Sequence, residues 1–492
     1  INQMVHSQQP RPRFLVVVFD GLRRDLITPD LMPALHAFRQ DWCDFPNARS
    51  TFPSETRVQV SGLVTGSYPG GHGIMANAFY DPALGFDGPM DTSDSDRMAH
   101  AETVYGGVLA REDLGGILHR EGRRYAALTA GKKGNARLLN TRATERGQPT
   151  YSIWGADISS PAAGFESIEA KFGPVPEQVF PNVAVTEYAT DVLLDHFIET
   201  HDPDVLIHWF NEPDLSFHYR GIGTPESLET LTAVDRGFAR ILDWWSAEGQ
   251  AAGWQIITAS DHGQITVTGQ VDVTAALTAA GFAVGHAIGP DVDIAIKRGY
   301  SGQITVRDRT PRLLRRVVDW MHDQEWAGMM FTRDGIDGTL PMASLNVLNN
   351  RSPDLNYTLK ASDAVNEYGY PGTCLADNGD IPVGGGMHGG LHPIELNGFL
   401  AAGGDLFRRN TLVETPCGIV DVAPTMLAAM GIASPDGMTG RQLGEALLQG
   451  EGTRDWREEK FRSEARDHAQ QLTIAHVDGG LSPYIQGGER LA

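Results

Sequence analysis

The sequence predicts an α/β protein built on a doubly wound, mostly parallel sheet. Four nearly continuous apolar runs predict buried strands, at 14–19, 125–129, 205–210 and 255–259. Such runs are typical of parallel strands that helices cover on both faces. Amphipathic segments alternate with them and predict helices, at 31–42, 183–199, 225–247 and 422–430. Alternating strands and helices indicate a parallel sheet.

One long segment interrupts this alternation. Within residues 264–386 the pattern predicts strands and one helix of a different arrangement, namely strands at 291–296, 303–307 and 329–332 and a helix at 311–326. We therefore expect an inserted α+β cap over 264–386, with residues 1–263 and 387–492 forming the main α/β domain. An inserted segment of this kind either shapes the access of substrate to a site or contributes only to packing. The sequence does not decide between these two roles.

Composition limits the partners and the compartment. The net charge is −22, with 40 Lys and Arg against 62 Asp and Glu, so we expect no nucleic-acid polymer as partner. Three separated cysteines, Cys43, Cys374 and Cys417, leave room for one disulfide at most. We expect no membrane-spanning segment, because no window of 18 residues is continuously apolar.

The first residues of the chain bear on its location. They are polar and contain no apolar core of a leader peptide. We expect a soluble, cytoplasmic protein; a periplasmic one would require a leader removed before Ile1. The sequence does not indicate the oligomeric state.

Acidic residues and histidines collect just after the predicted strands. In open parallel sheets, ligands bind outside the carboxyl ends of the strands. Histidine and carboxylate side chains are the usual ligands of zinc, and two ions about 4 Å apart can hold both reacting oxygens at phosphorus. The candidates are Asp20, Asp214, His218, Asp261, His262 and His388, with Thr56 as a hydroxyl ligand.

Short motifs in a fixed order carry a family resemblance. They are Phe19-Asp20-Gly21, Thr56 with Thr65-Gly66, Tyr68-Pro69 with His72-Gly73-Ile74 and Asn77, Glu212-Pro213-Asp214 with His218, Ser260-Asp261-His262-Gly263, and His388-Gly389-Gly390. Together they resemble the alkaline phosphatase superfamily, and within it the type I phosphodiesterase/nucleotide pyrophosphatase branch. The resemblance extends from residue 13 to about residue 408.

The resemblance implies two divalent metal ions and a role for each motif residue. One ion would be held by Asp214, His218 and His388, the other by Asp20, Thr56, Asp261 and His262. Zinc is the default ion for such ligands, and manganese or iron would fit similar ones. Thr56 would be the nucleophile and form a phospho-threonine intermediate. The Asn77 side chain would donate a hydrogen bond to a non-bridging oxygen.

Two positions have competitors nearby. Thr51-Phe52-Pro53 resembles the family's nucleophile motif, but the family spacing selects Thr56, which lies ten residues before Gly66 and 21 before Asn77. Either threonine could instead cap a helix. His392 competes with His388 in the same loop, and the His-Gly context favours His388.

Three basic residues are candidates for substrate binding. Arg57 follows Thr56 directly and could contact a phosphate or a carboxylate. Lys132 and Lys133 lie in a loop after a predicted strand, so they could line the pocket from the same sheet edge. For all three, a solvated side chain is the alternative.

The expected function is hydrolysis of a small-molecule phosphate ester, foremost a diester or pyrophosphate. A phosphonoacetate hydrolase-like enzyme that cleaves a carbon–phosphorus bond is the main alternative, although Gly131 stands where that group has a lysine. A phosphomonoesterase comes third. A metal-stabilised binding protein without catalysis is the alternative from another class. A sulfatase is disfavoured, because its Cys- or Ser-x-Pro-x-Arg motif is absent near Thr56.

Overall fold

A central eight-stranded sheet organises the computed structural model, which describes residues 11–491. Across the sheet the strands are Thr411–Leu412, Cys43–Asp44, Leu400–Gly403, Trp254–Ala259, Arg13–Phe19, Val205–Phe210, Tyr125–Thr129 and Thr150–Ser152. The last five of these are mutually parallel, and Leu400–Gly403 joins them in the antiparallel sense. The predicted doubly wound, mostly parallel sheet is confirmed.

Helices cover both faces of this sheet. Residues 14, 16 and 18 of the first strand pack into a core with the helices Thr56–Thr65, Ser95–Tyr105, Leu114–Arg120, Lys133–Leu139 and Val422–Ala429. Residues 15, 17 and 19 pack on the other side against the helices Pro33–Asp41, Ala162–Phe172, Val183–Val192, Asp214–Arg220 and Pro225–Trp244. The strand is apolar throughout because both of its faces are buried.

The remaining short elements connect these layers. The helices are Pro69–His72, Ala143–Arg146, Ile198–His201 and Pro393–Leu396, and the two-stranded ladders are Ala48–Arg49 with Cys417–Gly418 and Ala78–Phe79 with Met90–Asp91. The helix predicted over 183–199 is in fact a run of consecutive helical segments, because Leu193–Phe197 adopts a π-helical turn between Val183–Val192 and Ile198–His201.

Residues 264–386, together with Met387, form two smaller sheets beside the main one. The first comprises Ala361–Val365, Pro371–Ala376, Ile265–Gln270 and Gly386–Met387; the second comprises Val284–Gly285, Ile294–Lys297, Ser301–Val306, Leu355–Leu359, Ala327–Thr332 and Leu340–Pro341. Helices Val273–Ala279 and Pro311–His322 pack with them. The segment is α+β in content, and its role as a cap stays a prediction.

A three-stranded antiparallel sheet at the end of the chain was not expected from the sequence. Its strands are Trp456–Ala465, His468–Val477 and Tyr484–Leu491. Leu472 and Ile485 pack with Phe331 and Leu345 of the inserted segment. This part of the chain therefore packs against the inserted segment and also against the main domain.

Three further expectations concern cysteines, membranes and the first residues. The cysteines are all buried and free. Within residues 11–491, no helix combines the length and apolar character that crossing a bilayer requires. The residues before position 11, on which the leader-peptide argument rests, lie outside the part of the chain that the structure describes.

Shortening a buried side chain in the central sheet should lower the stability of the protein in proportion to the volume removed. Ile256 is fully buried in the strand Trp254–Ala259. We expect Ile256→Ala to lower the free energy of unfolding by about 2–5 kcal/mol and Ile256→Val by about 0.5–1.5 kcal/mol, measured by urea denaturation. Val365, which is 64% exposed, provides the control, because Val365→Ala should change the free energy of unfolding by less than about 0.5 kcal/mol. Equal effects at both positions would contradict this packing.

Candidate active site

Three aspartates meet where three neighbouring strands end. The parallel register pairs Phe19 with Phe210 and Val18 with Ala259. Asp20, Asp214 and Asp261 follow these strand ends and are all buried. The strand register therefore brings together carboxylates that lie up to 241 positions apart in the chain.

Three histidines are oriented toward these carboxylates by backbone carbonyls. Nδ1 of His218 lies 2.7 Å from the carbonyl oxygen of Gly386, Nδ1 of His262 lies 2.9 Å from that of Gly263, and Nδ1 of His388 lies 2.7 Å from that of Ser54. A carbonyl can only accept, so each Nδ1 carries the proton. In the neutral ring Nε2 then presents its lone pair, which is the arrangement that metal-ligating histidines adopt.

The candidate ligand atoms fall into two adjoining groups. In the first, Oδ1 of Asp214 lies 3.3 Å from Nε2 of His218 and 3.5 Å from Nε2 of His388. In the second, Nε2 of His262 lies 3.6 Å from Oδ1 of Asp20 and 3.1 Å from Oδ2 of Asp261. The His262 and His388 rings stack with centroids 3.6 Å apart, so the two groups are in direct contact.

The electrostatics of the cluster favour a bound cation. Burial and the carboxylates of Asp261 and Asp214 raise the pKa of Asp20 well above its ordinary value. Burial opposes ionisation of His262, yet the adjacent Asp261 raises its pKa to about 9. Burial would also raise the pKa of Asp214, but the nearby His218 imidazole holds it below its usual range. The aspartates and histidines of the cluster compete for protons. Divalent cations at the same positions would compensate the negative charge of the carboxylates better than protons do.

One unsatisfied atom supports the same conclusion. Oδ2 of Asp261 is buried and accepts no hydrogen bond from the residues between 11 and 491, although it faces Nε2 of His262. Two lone pairs at this separation need a proton or a cation between them. The mixture of carboxylate oxygen and imidazole nitrogen suits zinc and other divalent transition metals.

Thr56 lies beside the second group, at the start of a buried helix. It is the first residue of Thr56–Thr65, and its Oγ1 is 3.1 Å from Nε2 of His262 and 3.4 Å from Oδ1 of Asp20. Oδ1 of Asn77 accepts the Arg57 backbone N–H at 2.9 Å, which leaves the amide nitrogen of Asn77 as a donor. The Thr56 backbone N–H at the helix start and the amide donor of Asn77 together form a site for an anion.

The two competing residues are engaged elsewhere. The hydroxyl and the backbone N–H of Thr51 both donate to Oε1 of Gln59, at 3.2 and 2.9 Å. Nδ1 of His392 accepts the Ile394 N–H, and its Nε2 lies 3.0 Å from the exposed Asp363. The geometry therefore brings Thr56 and His388, and neither alternative, to the carboxylate cluster.

The three predicted substrate-binding residues lie in different environments. The Arg57 side chain is buried, with Nη2 at 3.5 Å from the Asn77 carbonyl oxygen and 3.6 Å from Asp91, so it contacts the protein itself. Lys132 and Lys133 are exposed at the start of the helix Lys133–Leu139. Neither lysine makes a hydrogen bond or an ion pair to the candidate metal-ligand residues, and their role stays a prediction.

Several residues that support the cluster carry no motif in the sequence. Nε1 of Trp209 donates to Oδ2 of Asp20 at 2.9 Å, and Nε2 of Gln264 donates to Oδ1 of Asp214 at 2.5 Å. Oε1 of Glu395 accepts from the Ser54 hydroxyl at 2.9 Å, and the Ser54 carbonyl holds His388. These contacts join distant positions, so local sequence patterns could not reveal them.

Fold and site together define the class. A doubly wound sheet whose strand ends present paired Asp/His groups beside a helix-starting threonine is the arrangement of the alkaline phosphatase superfamily. The sequence profile described as type I phosphodiesterase / nucleotide pyrophosphatase matches residues 14–350. The chain belongs to this family.

Individual relatives are more distant. The bis(5'-adenosyl)-triphosphatase enpp4 of Xenopus laevis is 36% identical over 70 residues, which are 14% of this chain and 16% of that protein. The human ectonucleotide pyrophosphatase/phosphodiesterase family member 7 is 24% identical over 263 residues, covering 54% of this chain and 50% of the relative. The chain thus spans half or less of the length of these curated relatives.

A solved structure supports the fold. Murine ectonucleotide pyrophosphatase/phosphodiesterase 5 superposes with a TM-score of 0.62 over 88% of this chain and 100% of that chain, at 16% sequence identity. At this level of identity, the likeness extends to the fold alone.

Metal content should separate His388 from His392. We expect His388→Ala to bind less zinc than the unaltered protein, because one group loses an imidazole that faces Asp214. His392→Ala should bind as much as the unaltered protein, because both of its ring nitrogens are engaged away from the cluster. The measurement is metal analysis after zinc loading and gel filtration. An equal loss in both variants would contradict the assignment.

Proposed function

We propose that this protein is a divalent-metal-dependent hydrolase of phosphate diesters or pyrophosphates that uses Thr56 as its nucleophile. One observation carries the proposal: the Thr56 hydroxyl lies at a helix start within 3.4 Å of both His262 and Asp20. A threonine hydroxyl is a poor nucleophile by itself, and a coordinated cation is the means of activating it that this site offers.

Seven residues would hold two metal ions. Asp214, His218 and His388 would hold one, and Asp20, Thr56, Asp261 and His262 the other. When bound, the ions supply Lewis-acid stabilisation of the charge on the phosphoryl oxygens and lower the pKa of the Thr56 hydroxyl. Zinc suits this ligand set, and manganese or iron would fit it as well.

The residues of the chain would carry out the substitution at phosphorus. Oγ1 of Thr56 gives up its proton and forms a bond to phosphorus while the bond to the leaving oxygen breaks, which gives a phospho-threonine. The leaving oxygen departs with the bonding electron pair and takes up a proton from water. Water then attacks the phosphorus and regenerates the threonine hydroxyl. The Asn77 amide and the backbone N–H of Thr56 would stabilise the non-bridging oxygens as their charge develops.

The relatives support a nucleotide as the substrate class. One relative is a bis(5'-adenosyl)-triphosphatase, and murine ectonucleotide pyrophosphatase/phosphodiesterase 5 has also been solved as an inactive threonine-to-alanine variant in complex with AMP. The exposed Lys132 and Lys133 keep the phosphonoacetate hydrolase-like alternative open, because a second anionic group could be bound there. A phosphomonoesterase would share the same metal-ligand set.

Replacing Thr56 tests the nucleophile. We expect Thr56→Ala to lower kcat for bis(p-nitrophenyl) phosphate by at least about 10³-fold with zinc present, because the attacking oxygen is removed. Thr51→Ala is the matched control and should retain most of the activity, since its hydroxyl contacts Gln59. Loss of activity in Thr51→Ala with retention in Thr56→Ala would reverse the assignment.

A substrate panel tests the reaction class. Bis(p-nitrophenyl) phosphate, p-nitrophenyl phosphate and phosphonoacetate are compared side by side, and we expect the diester to have the highest kcat/KM. Dialysis against a chelator should abolish turnover, and zinc should restore it. Turnover of phosphonoacetate alone would instead assign carbon–phosphorus cleavage and make Lys132 and Lys133 the next residues to replace.

A further inference from the structure

A lysine of the inserted segment contacts the residue that precedes Thr56. Lys297 ends the strand Ile294–Lys297, and its Nζ donates to Oε1 of Glu55 at 2.6 Å and to the Ser301 carbonyl at 3.0 Å. The Lys297 and Glu55 side chains are 11% and 8% exposed. Both charges are thus largely removed from water, unlike those of a solvated surface pair.

The other oxygen of Glu55 extends this contact to Asn77. Oε2 of Glu55 accepts the backbone N–H of Asn77 at 2.5 Å, and Oδ1 of Asn77 accepts the backbone N–H of Arg57 at 2.9 Å. Thr56 lies between Glu55 and Arg57 in the chain. The network therefore holds the backbone on both sides of Thr56 and also fixes the amide of Asn77.

The loop that carries His388 packs on the same pair. A Cβ at Gly389 would lie 3.4 Å from Cγ of Glu55 and 3.5 Å from Cβ of Ser301. The ion pair consequently lies between the start of the Thr56 helix, the His388 loop and the inserted segment.

The charge of Glu55 explains why a cation is needed there. Glu55 is the N-cap residue of the helix, but its carboxylate makes no capping hydrogen bond. Without Lys297 this buried carboxylate would lose its ion-pair partner, next to the residue that receives an anionic phosphoryl group. It would repel that group and would also lose the partner that fixes its orientation.

We propose that Lys297 is a positioning residue for phosphoryl transfer, which acts through Glu55 on Asn77 and on the start of the Thr56 helix. This inference rests on the proposed function. It makes the inserted segment a contributor to the chemistry, beyond any role in substrate access.

The variants that test it are Lys297→Met, Glu55→Gln and the double variant, each loaded with zinc. We expect Lys297→Met to lower kcat for bis(p-nitrophenyl) phosphate by about 10- to 100-fold with a smaller change in KM, because the reacting groups are misplaced. The double variant should regain part of the loss, because a glutamine in place of Glu55 carries no charge and its side-chain oxygen can still accept from Asn77. Lys360→Met, at an exposed lysine of the same segment, is the control and should match the unaltered enzyme.

Recovery in the double variant distinguishes positioning from general destabilisation. The effects of two coupled residues are not additive, so a double variant that loses the product of the two single losses overturns the proposal. A Lys297→Met enzyme within about twofold of the unaltered kcat also overturns it. Urea unfolding midpoints and zinc content of every variant show whether a loss of activity reflects unfolding, and a loss fully explained by unfolding overturns it too.

A binding measurement tests the proposed role of Lys297 independently of turnover. Inorganic phosphate is titrated calorimetrically into the zinc-loaded proteins. We expect weaker phosphate binding in Lys297→Met and stronger binding again in the double variant, whereas equal affinity in all of them overturns the proposal. If the unaltered protein hydrolyses no ester, the proposed function fails, and this titration still tests the coupling of Lys297 to the anion site.

Discussion

The mutual repulsion of three buried carboxylates is the constraint around which this site is built. The parallel register of neighbouring strands forces Asp20, Asp214 and Asp261 into one small volume away from water. Such an arrangement is tolerated only if positive charge compensates it. Carbonyls orient three imidazoles so that each Nε2 faces the carboxylates, and the adjacent Asp261 raises the pKa of His262 to about 9. Divalent cations would supply that compensation, and their positive charge is also what a phosphoryl group needs.

The inserted segment is anchored to this site by both of its ends. Gln264, where it begins, donates to Asp214, and the carbonyl of Gly386, where it ends, accepts from His218. Between them, Lys297 contacts Glu55 beside Thr56. The insertion therefore contacts both the candidate metal-ligand residues and the helix that begins with Thr56.

The prediction of secondary structure from the sequence was accurate where burial alone dictated the hydrophobic pattern. Each of the four strands was predicted to within one residue, because a parallel strand buried on both faces must be apolar throughout. The C-terminal sheet was missed, because its first strand, Trp456–Ala465, is polar and mostly exposed. The packing of this sheet against the inserted segment also joins residues far apart in the chain. The supporting contacts of Trp209, Gln264 and Glu395 were missed for the same reason: each depends on proximity that no local pattern encodes.

The sequence by itself determined the fold class, the family and the set of candidate ligands, because hydrophobic periodicity and ordered short motifs are local properties of the chain. Only the tertiary structure decided which atoms meet. It brought the Thr56 hydroxyl rather than that of Thr51 to the carboxylates, and it turned His392 toward Asp363. It also paired Lys297 with Glu55 across 242 positions. Strand register and packing fix these distances, and neither can be read from residue types alone.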